Sequence, residues 1–341
     1  MVVSIRDVAE HVGVSLGTVS NVLNRPNTVN ADMVARVLEG IRELGYVRND
    51  AARQLRAGNS RTIGMIVQDS SNPFFADMAR GAEDQAEVGG RMLIVGNSHQ
   101  SAERELRYID LFEEQRVQGV FLAPIDDLTE RLKQLRQHRI APVLVQRRVS
   151  LDDFCSVAGD DEHGGYLAVK HLLDIGRRRI AFVGGPVSII GIEDRLTGAR
   201  RAVDEVADAT LEVIDTAELT VGVGRSVGEQ ILDRDRSRRP DGMFTANDLV
   251  ALGLIQAFVM SHSIRIPDEI ALIGYDDIAF ATAAVVPLST IRQPGAMFGV
   301  MGVSLIQEEV DSPGGHTHRQ VLFQPELVIR ESTAGFPDAA A

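Results

Sequence analysis

Near the start of the chain, apolar residues recur at helical spacing in two short, closely joined segments. Ile5, Val8, Ala9 and Val12 line one face of residues 4–12, and Leu16, Val19, Val22 and Leu23 line one face of residues 15–24. Ser4 with Asp7, and Ser15 ahead of Leu16, stand where side-chain oxygens cap helix starts. Only Gly13 and Val14 separate the two segments. Asn30 caps a third pattern over 31–44 that Gly45 ends, so three helices can close a miniature core. A capped helix bearing small polar residues directly after a tight glycine turn is the helix-turn-helix layout, whose second helix enters the major groove of DNA. A further run over 50–57 follows Asn49, is halted by Gly58, and leads into a polar linker over 59–61. Isolated helices shorter than roughly 12 to 15 residues are marginal in water, so this run orders only on a surface.

From residue 62 the pattern changes to short β-rich runs alternating with helical stretches. Strands are predicted at 62–68, 91–95, 119–123 and 142–145, with helices at 74–88, 102–114 and 128–138 between them. The rhythm restarts after a loop at about 147–155, with strands at 179–183, 211–215, 242–245 and 270–275. The fold class is therefore α/β: a three-helix head followed by two doubly wound parallel-sheet lobes with a cleft between them. Ligand groups in such sheets sit beyond the carboxyl ends of strands. That rule selects Asp69, Ser71, Asn72 and Phe74 from the first lobe, and Asn247 and Asp276 from the second. Arg195, placed at the start of the helix after the loop 184–186, joins them. Carboxylate, amide and guanidinium groups beside an aromatic face suit a polyhydroxylated ligand, although each polar residue could instead cap a helix or hold a turn.

The segments IRDVAEHVGVSLGTVSNVLN (5–24) and ELGYVRNDAARQLR (43–56) resemble the lactose/galactose repressor (LacI/GalR) family of transcription regulators. The likeness continues through DSSNPFF (69–75), GGYLA (164–168), RIAFVGGP (179–186), AND (246–248), GYDD (274–277) and REST (330–333), covering nearly the whole chain. It implies a periplasmic-binding-protein-like body whose chain crosses between lobes three times. The expected domains are a DNA-binding head at 1–48, a hinge helix and linker at 49–61, and a body at 62–335. Lobe 1 would comprise about 62–158 and 288–322, and lobe 2 about 159–287 and 323–332. The resemblance puts Leu16, Gly17 and Asn21 on bases, Ser15, Thr18 and Asn24 on phosphates, and Leu55 as a wedge in the minor groove at the operator centre. Relatives often carry arginine, which favours guanine, where Asn21 stands; asparagine is better matched to adenine, so the operator should depend less on guanine there.

The same resemblance implies a homodimer on double-stranded, pseudo-palindromic operator DNA, controlled by a small effector. Two departures bear on that effector. Gln146 stands where many relatives end a strand with aspartate, and Val223 where an aromatic residue is frequent. Losing a carboxylate and a stacking ring argues against an ordinary hexose and leaves another sugar, a polyol, a nucleoside or a sugar phosphate.

Charge fits this organisation once it is divided. The chain of 341 residues carries a net −13, yet residues 1–61 hold eight arginines against six acidic residues, a net +2, which leaves −15 for the remainder. A mildly basic head makes only a few phosphate contacts, and an acidic body discourages stray binding to nucleic acid. No apolar run is long enough to cross a membrane. The N-terminus lacks the apolar core of a secretory signal, which predicts a cytoplasmic protein and disfavours a solute-binding protein serving a transporter. A regulator without a small-molecule effector stays open.

Other motifs are weaker. The single cysteine, Cys155, reads as a small buried apolar residue. His316 and His318 are too sparse for a metal site and read as a solvated strand entrance. Residues 13–17 match the nucleophile-elbow pattern, but a helical pattern precedes Ser15 where a strand is required. Residues 222–228 miss the dinucleotide fingerprint and read as a loop entering a helix. No enzyme activity, cofactor or metal is predicted. The tail after Arg330 has no leucine heptads, which disfavours a coiled-coil tetramer.

Overall fold

The computed structural model describes residues 3–47, 60–146, 154–187, 189–312 and 314–335. The chain forms two units, Met1–Asn59 and Ser60–Ala341.

In the first unit, α1 (Ile5–Val12), α2 (Leu16–Asn24) and α3 (Ala31–Leu44) follow the helical periodicity. Ser4 and Asp7 form a reciprocal capping box, and Gly13 ends α1 at φ 70°, a left-handed conformation that glycine adopts without a Cβ penalty. Val8, Ala9, Val19, Val22 and Val37 make the core. Gly40 of α3 is packed so closely on α1 that a Cβ there would stand 2.4 Å from a Val12 methyl.

The second unit holds two six-stranded sheets. Its elements, in chain order, are β1 (Thr62–Val67), α4 (Pro73–Val88), β2 (Met92–Asn97), α5 (Ala102–Glu114), β3 (Gly119–Leu122), α6 (Thr129–Gln137), β4 (Ala141–Val145) and β5 (Cys155–Gly159). There follow α7 (Asp161–Asp174), β6 (Arg179–Val183), α8 (Ile190–Asp204), β7 (Thr210–Ile214), α9 (Val221–Leu232), β8 (Gly242–Thr245) and α10 (Asp248–Ser261). The last are β9 (Ala271–Asp276), α11 (Ala279–Ala283), β10 (Ser289–Arg292), α12 (Gly295–Asp311), β11 (Gln320–Phe323), β12 (Glu326–Val328) and α13 (Glu331–Ala334). The first sheet, in the order β11-β5-β4-β3-β1-β2, is wholly parallel. The second runs β12-β10-β9-β8-β6-β7 and is parallel except for β12 against β10. Helices cover both faces, which is why β1, β3, β4 and β9 are nearly continuous apolar runs rather than alternating ones.

Three chain segments pass between the sheets, after β5, after β10 and between β11 and β12. The return expected at residue 288 is displaced: β10 pairs with β9 in register Ser289 to Ile273, so the second lobe keeps the chain until after Arg292. Strands β5 and β10 were not anticipated because CSVAG and STIR are short, rich in small or polar residues, and buried by position rather than by pattern.

Glycines set how closely paired helices approach. A Cβ on Gly165 of α7 would lie 2.0 Å from the Arg195 carbonyl oxygen, and one on Gly198 of α8 would lie 1.8 Å from that of Glu162. The same reciprocal fit joins α9 and α10, through Gly224 against Val250 and Gly253 against Val221. Residues 221–224 are therefore the first turn of a helix capped by Thr220, not the loop that their glycines suggested, because packing overrides the low helix propensity.

Candidate functional site

The cleft between the two sheets is lined from the first lobe by the turn after β1. Asp69 Oδ1 accepts from the Ser71 backbone N–H at 2.9 Å and from its hydroxyl at 2.7 Å, which closes the turn. Asn72 then caps α4 through its Oδ1, leaving Nδ2 to donate across the cleft to Asp276 Oδ2 at 3.2 Å. Asp69, Asn72 and Gln146 reach the cleft wall; Ser71 does not line it and serves the turn. Phe74 is also displaced from its expected place. It is buried against Phe298 of α12, with ring centroids 5.8 Å apart, and its neighbour Phe75 supplies the aromatic surface.

From the second lobe come Arg195, Asn247 and Asp276. Arg195 lies in the second turn of α8, deeper than the helix start predicted for it, since the helix begins at Ile190. Its Nε donates to Asp161 Oδ1 at 2.9 Å, one terminal nitrogen donates to the Ala246 carbonyl, and the guanidinium carbon stacks 3.7 Å from the Tyr275 ring centroid. Asp161 Oδ1 also accepts from the Tyr275 hydroxyl at 2.9 Å and from Gln293 Nε2 at 3.1 Å. A buried ion pair holds only when its remaining polar capacity is met, and here Tyr275 of β9, Gln293 after β10 and the Ala246 carbonyl after β8 supply the further hydrogen bonds. Burial opposes the Arg195 charge, but Asp161, Tyr275 and Asp276 outweigh it, so the guanidinium pKa is raised.

Asn247 caps α10 by accepting from the Val250 N–H and donates to the Leu219 carbonyl at 3.3 Å. Asp276 ends β9 at φ 104°, and Gln146 directly follows β4 at φ 56°; both are non-glycine residues at positive φ, a costly conformation that clusters at binding sites. Burial pushes the Asp276 carboxyl up to about 6, against the downward pull of Arg195 and of the Asn72 hydrogen bond. Behind it, burial and the Asp276 charge raise Asp248 well above the usual carboxylate range, while Thr290 Oγ1 donates to it at 2.6 Å and the Ile278 N–H at 2.9 Å.

The cleft is narrow and partly open, admitting the centres of water-sized groups over about 70 Å³. Gln68, Phe75, Gln100, Ile190 and Leu219 line it without having been singled out, and Asp161 organises it from behind. Alternation at the strand ends could have flagged Gln68; nothing local marks Asp161, whose partners lie 34 to 132 positions away. Among the described lining residues there is no serine, cysteine, histidine or lysine to act as nucleophile or base. The ring offers hydrogen-bond donors and acceptors of the kind that match hydroxyl and amide groups.

Since α7 and α8 touch through Gly165, Gly165→Ala should drive Arg195 out of place. We expect a loss of about 1–3 kcal/mol, read by urea unfolding, with ligand binding weakened as well.

In the first unit, α2 buries Val19 and Val22 and leaves Leu16, Gly17, Asn21 and Asn24 exposed. Ser15 caps α2 by accepting from the Thr18 N–H at 3.1 Å, and Thr18 is half-buried beside it. Asn24 Nδ2 donates back to the Ser20 carbonyl at 2.8 Å. Leu55, and residues 48–59 generally, lie outside the described residues.

Two family profiles match the chain: residues 4–49 match "Bacterial regulatory proteins, lacI family" and residues 169–333 match "Periplasmic binding protein-like domain". The HTH-type transcriptional repressor PurR of Aliivibrio fischeri is 33% identical over 335 residues, spanning 96% of this chain and 98% of that one. The ribose operon repressor of Halalkalibacterium halodurans is 33% identical over 334 residues, spanning 97% of each. Among solved structures, the lac repressor dimer bound to operator and the anti-inducer ONPF superposes with a TM-score of 0.80 at 25% identity, covering 98% of this chain and 99% of that one.

Proposed function

The chain belongs to the LacI family of bacterial regulatory proteins, and from that premise we propose that its cleft binds an uncharged polyhydroxylated effector, a sugar, polyol or nucleoside. As a member of that family it is a ligand-responsive DNA-binding transcriptional repressor and not an enzyme. One observation carries the effector class. The described lining has a single cation, Arg195, already paired with Asp161, and two carboxylates, Asp69 and Asp276. A phosphate would meet net negative charge there, whereas hydroxyls find carboxylate acceptors and amide donors on both walls. This narrows the expected range by setting sugar phosphates aside.

DNA is read by α2, with Leu16, Gly17 and Asn21 toward base edges and Ser15, Thr18 and Asn24 toward phosphates, and Leu55 is the minor-groove wedge. The working form is a cytoplasmic homodimer on a pseudo-palindromic operator. Support for pairing comes from the first lobe, where Val88, Met92, Ile94, Val95, Leu106 and Leu111 are exposed along α4, β2 and α5. Edge strand β2 is apolar and uncovered, a surface that a second copy would bury. Among the described residues no helix is long and apolar enough to cross a membrane.

A thermal-shift panel of free pentoses, hexoses, polyols, nucleosides and their phosphates tests the reading. A true effector at 100 times its dissociation constant stabilises the protein by about 2.7 kcal/mol and alters retention of an operator fragment. Stabilisation by phosphorylated compounds alone would overturn the uncharged class.

A further inference from the structure

Outside the cleft, the fold assembles a second group of donor atoms that the sequence keeps far apart. Cys155 opens β5 and is fully buried; His316 and His318 lead into β11, the parallel neighbour of β5. Cys155 Sγ lies 3.1 Å from His316 Nε2 and 3.7 Å from His318 Nδ1, and the three donor atoms fall within 4.8 Å of one another. The two rings stand edge to face with centroids 5.2 Å apart. Glu309, in the last turn of α12, brings Oε2 to 4.0 Å from His318 Nδ1. That oxygen is buried and has no hydrogen-bond partner, while the other carboxylate oxygen of Glu309 faces Arg136 Nε at 3.4 Å.

A buried carboxylate oxygen without a donor is costly, and a cation removes the cost. With zinc bonds of about 2.3 Å to sulfur and about 2.0–2.1 Å to nitrogen, the sulfur-to-nitrogen edge of a tetrahedron is about 3.6 Å, between the two distances present here. Thiolate and imidazole donors select a borderline transition metal over magnesium or calcium. From this juxtaposition we propose that Cys155, His316 and His318, with Glu309 as the fourth ligand, bind one Zn²⁺ per chain.

The site is separate from the effector cleft. Cys155 and His318 lie where the parallel strands of the first sheet begin, as does Thr62, whereas Asp69, Asn72 and Gln146 follow the opposite ends. Bound metal would tie the end of α12 and the approach to β11 onto β5. Cys155 is buried as expected, while its meeting with His316 and His318 differs from the expectation that these histidines stand as a solvated strand entrance.

Tag-free, full-length protein stripped with a chelator and titrated with Co²⁺ provides the test. We expect thiolate-to-cobalt charge-transfer absorption and tetrahedral ligand-field bands that saturate at one equivalent and are bleached by Zn²⁺. Cys155→Ser should remove the charge-transfer band, and both Cys155→Ser and His316→Gln should weaken Zn²⁺ at least about 100-fold in chelator competition, more than the loss of a supporting group. His316 is half-buried, so its variant keeps the test alive if Cys155→Ser does not fold. Absence of the charge-transfer band in the unmodified protein, or unchanged Zn²⁺ affinity in folded His316→Gln, overturns the proposal.

Discussion

Arg195→Ala is expected to abolish effector binding and to lower the unfolding free energy by about 3–5 kcal/mol, the range seen when one partner of a buried ion pair is removed. The size follows from what the guanidinium holds. It is buried, donates to Asp161 and to the Ala246 carbonyl, and stacks on Tyr275. Its loss leaves the Asp161 carboxylate in the interior with Tyr275 and Gln293 as its remaining side-chain donors among the described residues. A second change, Asp161→Asn, should therefore recover part of the stability without recovering binding. Urea unfolding of the four members of this cycle measures the coupling, and titration calorimetry reads the ligand. Full ligand affinity in Arg195→Ala would remove the cleft from the mechanism.

Asp276→Asn should act in the opposite direction on stability. The Asp276 carboxyl titrates at about 6 in the fold against 3.8 for an ordinary aspartate. The folded state thus holds the proton more tightly, and its contribution is full below pH 3.8 and is lost as pH rises through about 6. Above that the ionised, buried carboxylate costs about 3 kcal/mol, so the ligand-free asparagine variant should be more stable than the parent at neutral pH. Binding moves the other way. If effector hydroxyls donate to the ionised carboxylate, parental affinity falls as pH drops below about 6, by up to tenfold per unit, and the variant binds about 100-fold more weakly with little pH dependence. Unfolding and binding measured from pH 5 to 8 on both proteins check the two signs separately. A parent whose affinity is flat across this range would mean that the ligand does not use the Asp276 charge.

These two residues show how far local pattern reaches. Strand ends point to Asp69, Asn72, Asn247 and Asp276, and all four line the cleft, because a parallel α/β sheet leaves its carboxyl-end loops on one edge. Choosing between Phe74 and Phe75 is beyond that rule. Both follow the same cap, and the choice depends on which ring Phe298 of α12 receives, a contact across more than 220 positions. Arg195 was legible as a residue type but not in depth, since the start of α8 depends on how it lies on α7 through Gly165 and Gly198. Similarly, the glycines of 221–224 favour a loop locally and a helix once α10 is packed against them.

Interactions within a few positions of one another therefore belonged to the chain alone: the capped helices of the head, the alternation of the strongly apolar strands with helices, and the polar loops after strands. Hydrogen-bonded caps, helical periodicity and apolar runs act over one or two turns and need no partner from elsewhere. The Asp161–Arg195–Tyr275 cluster, the placement of β5 and β10, the aromatic wall of the cleft and the meeting of Cys155 with His316 and His318 were decided only by tertiary structure. Each joins groups whose separation along the chain carries no local signal, and close packing alone selects which of them touch.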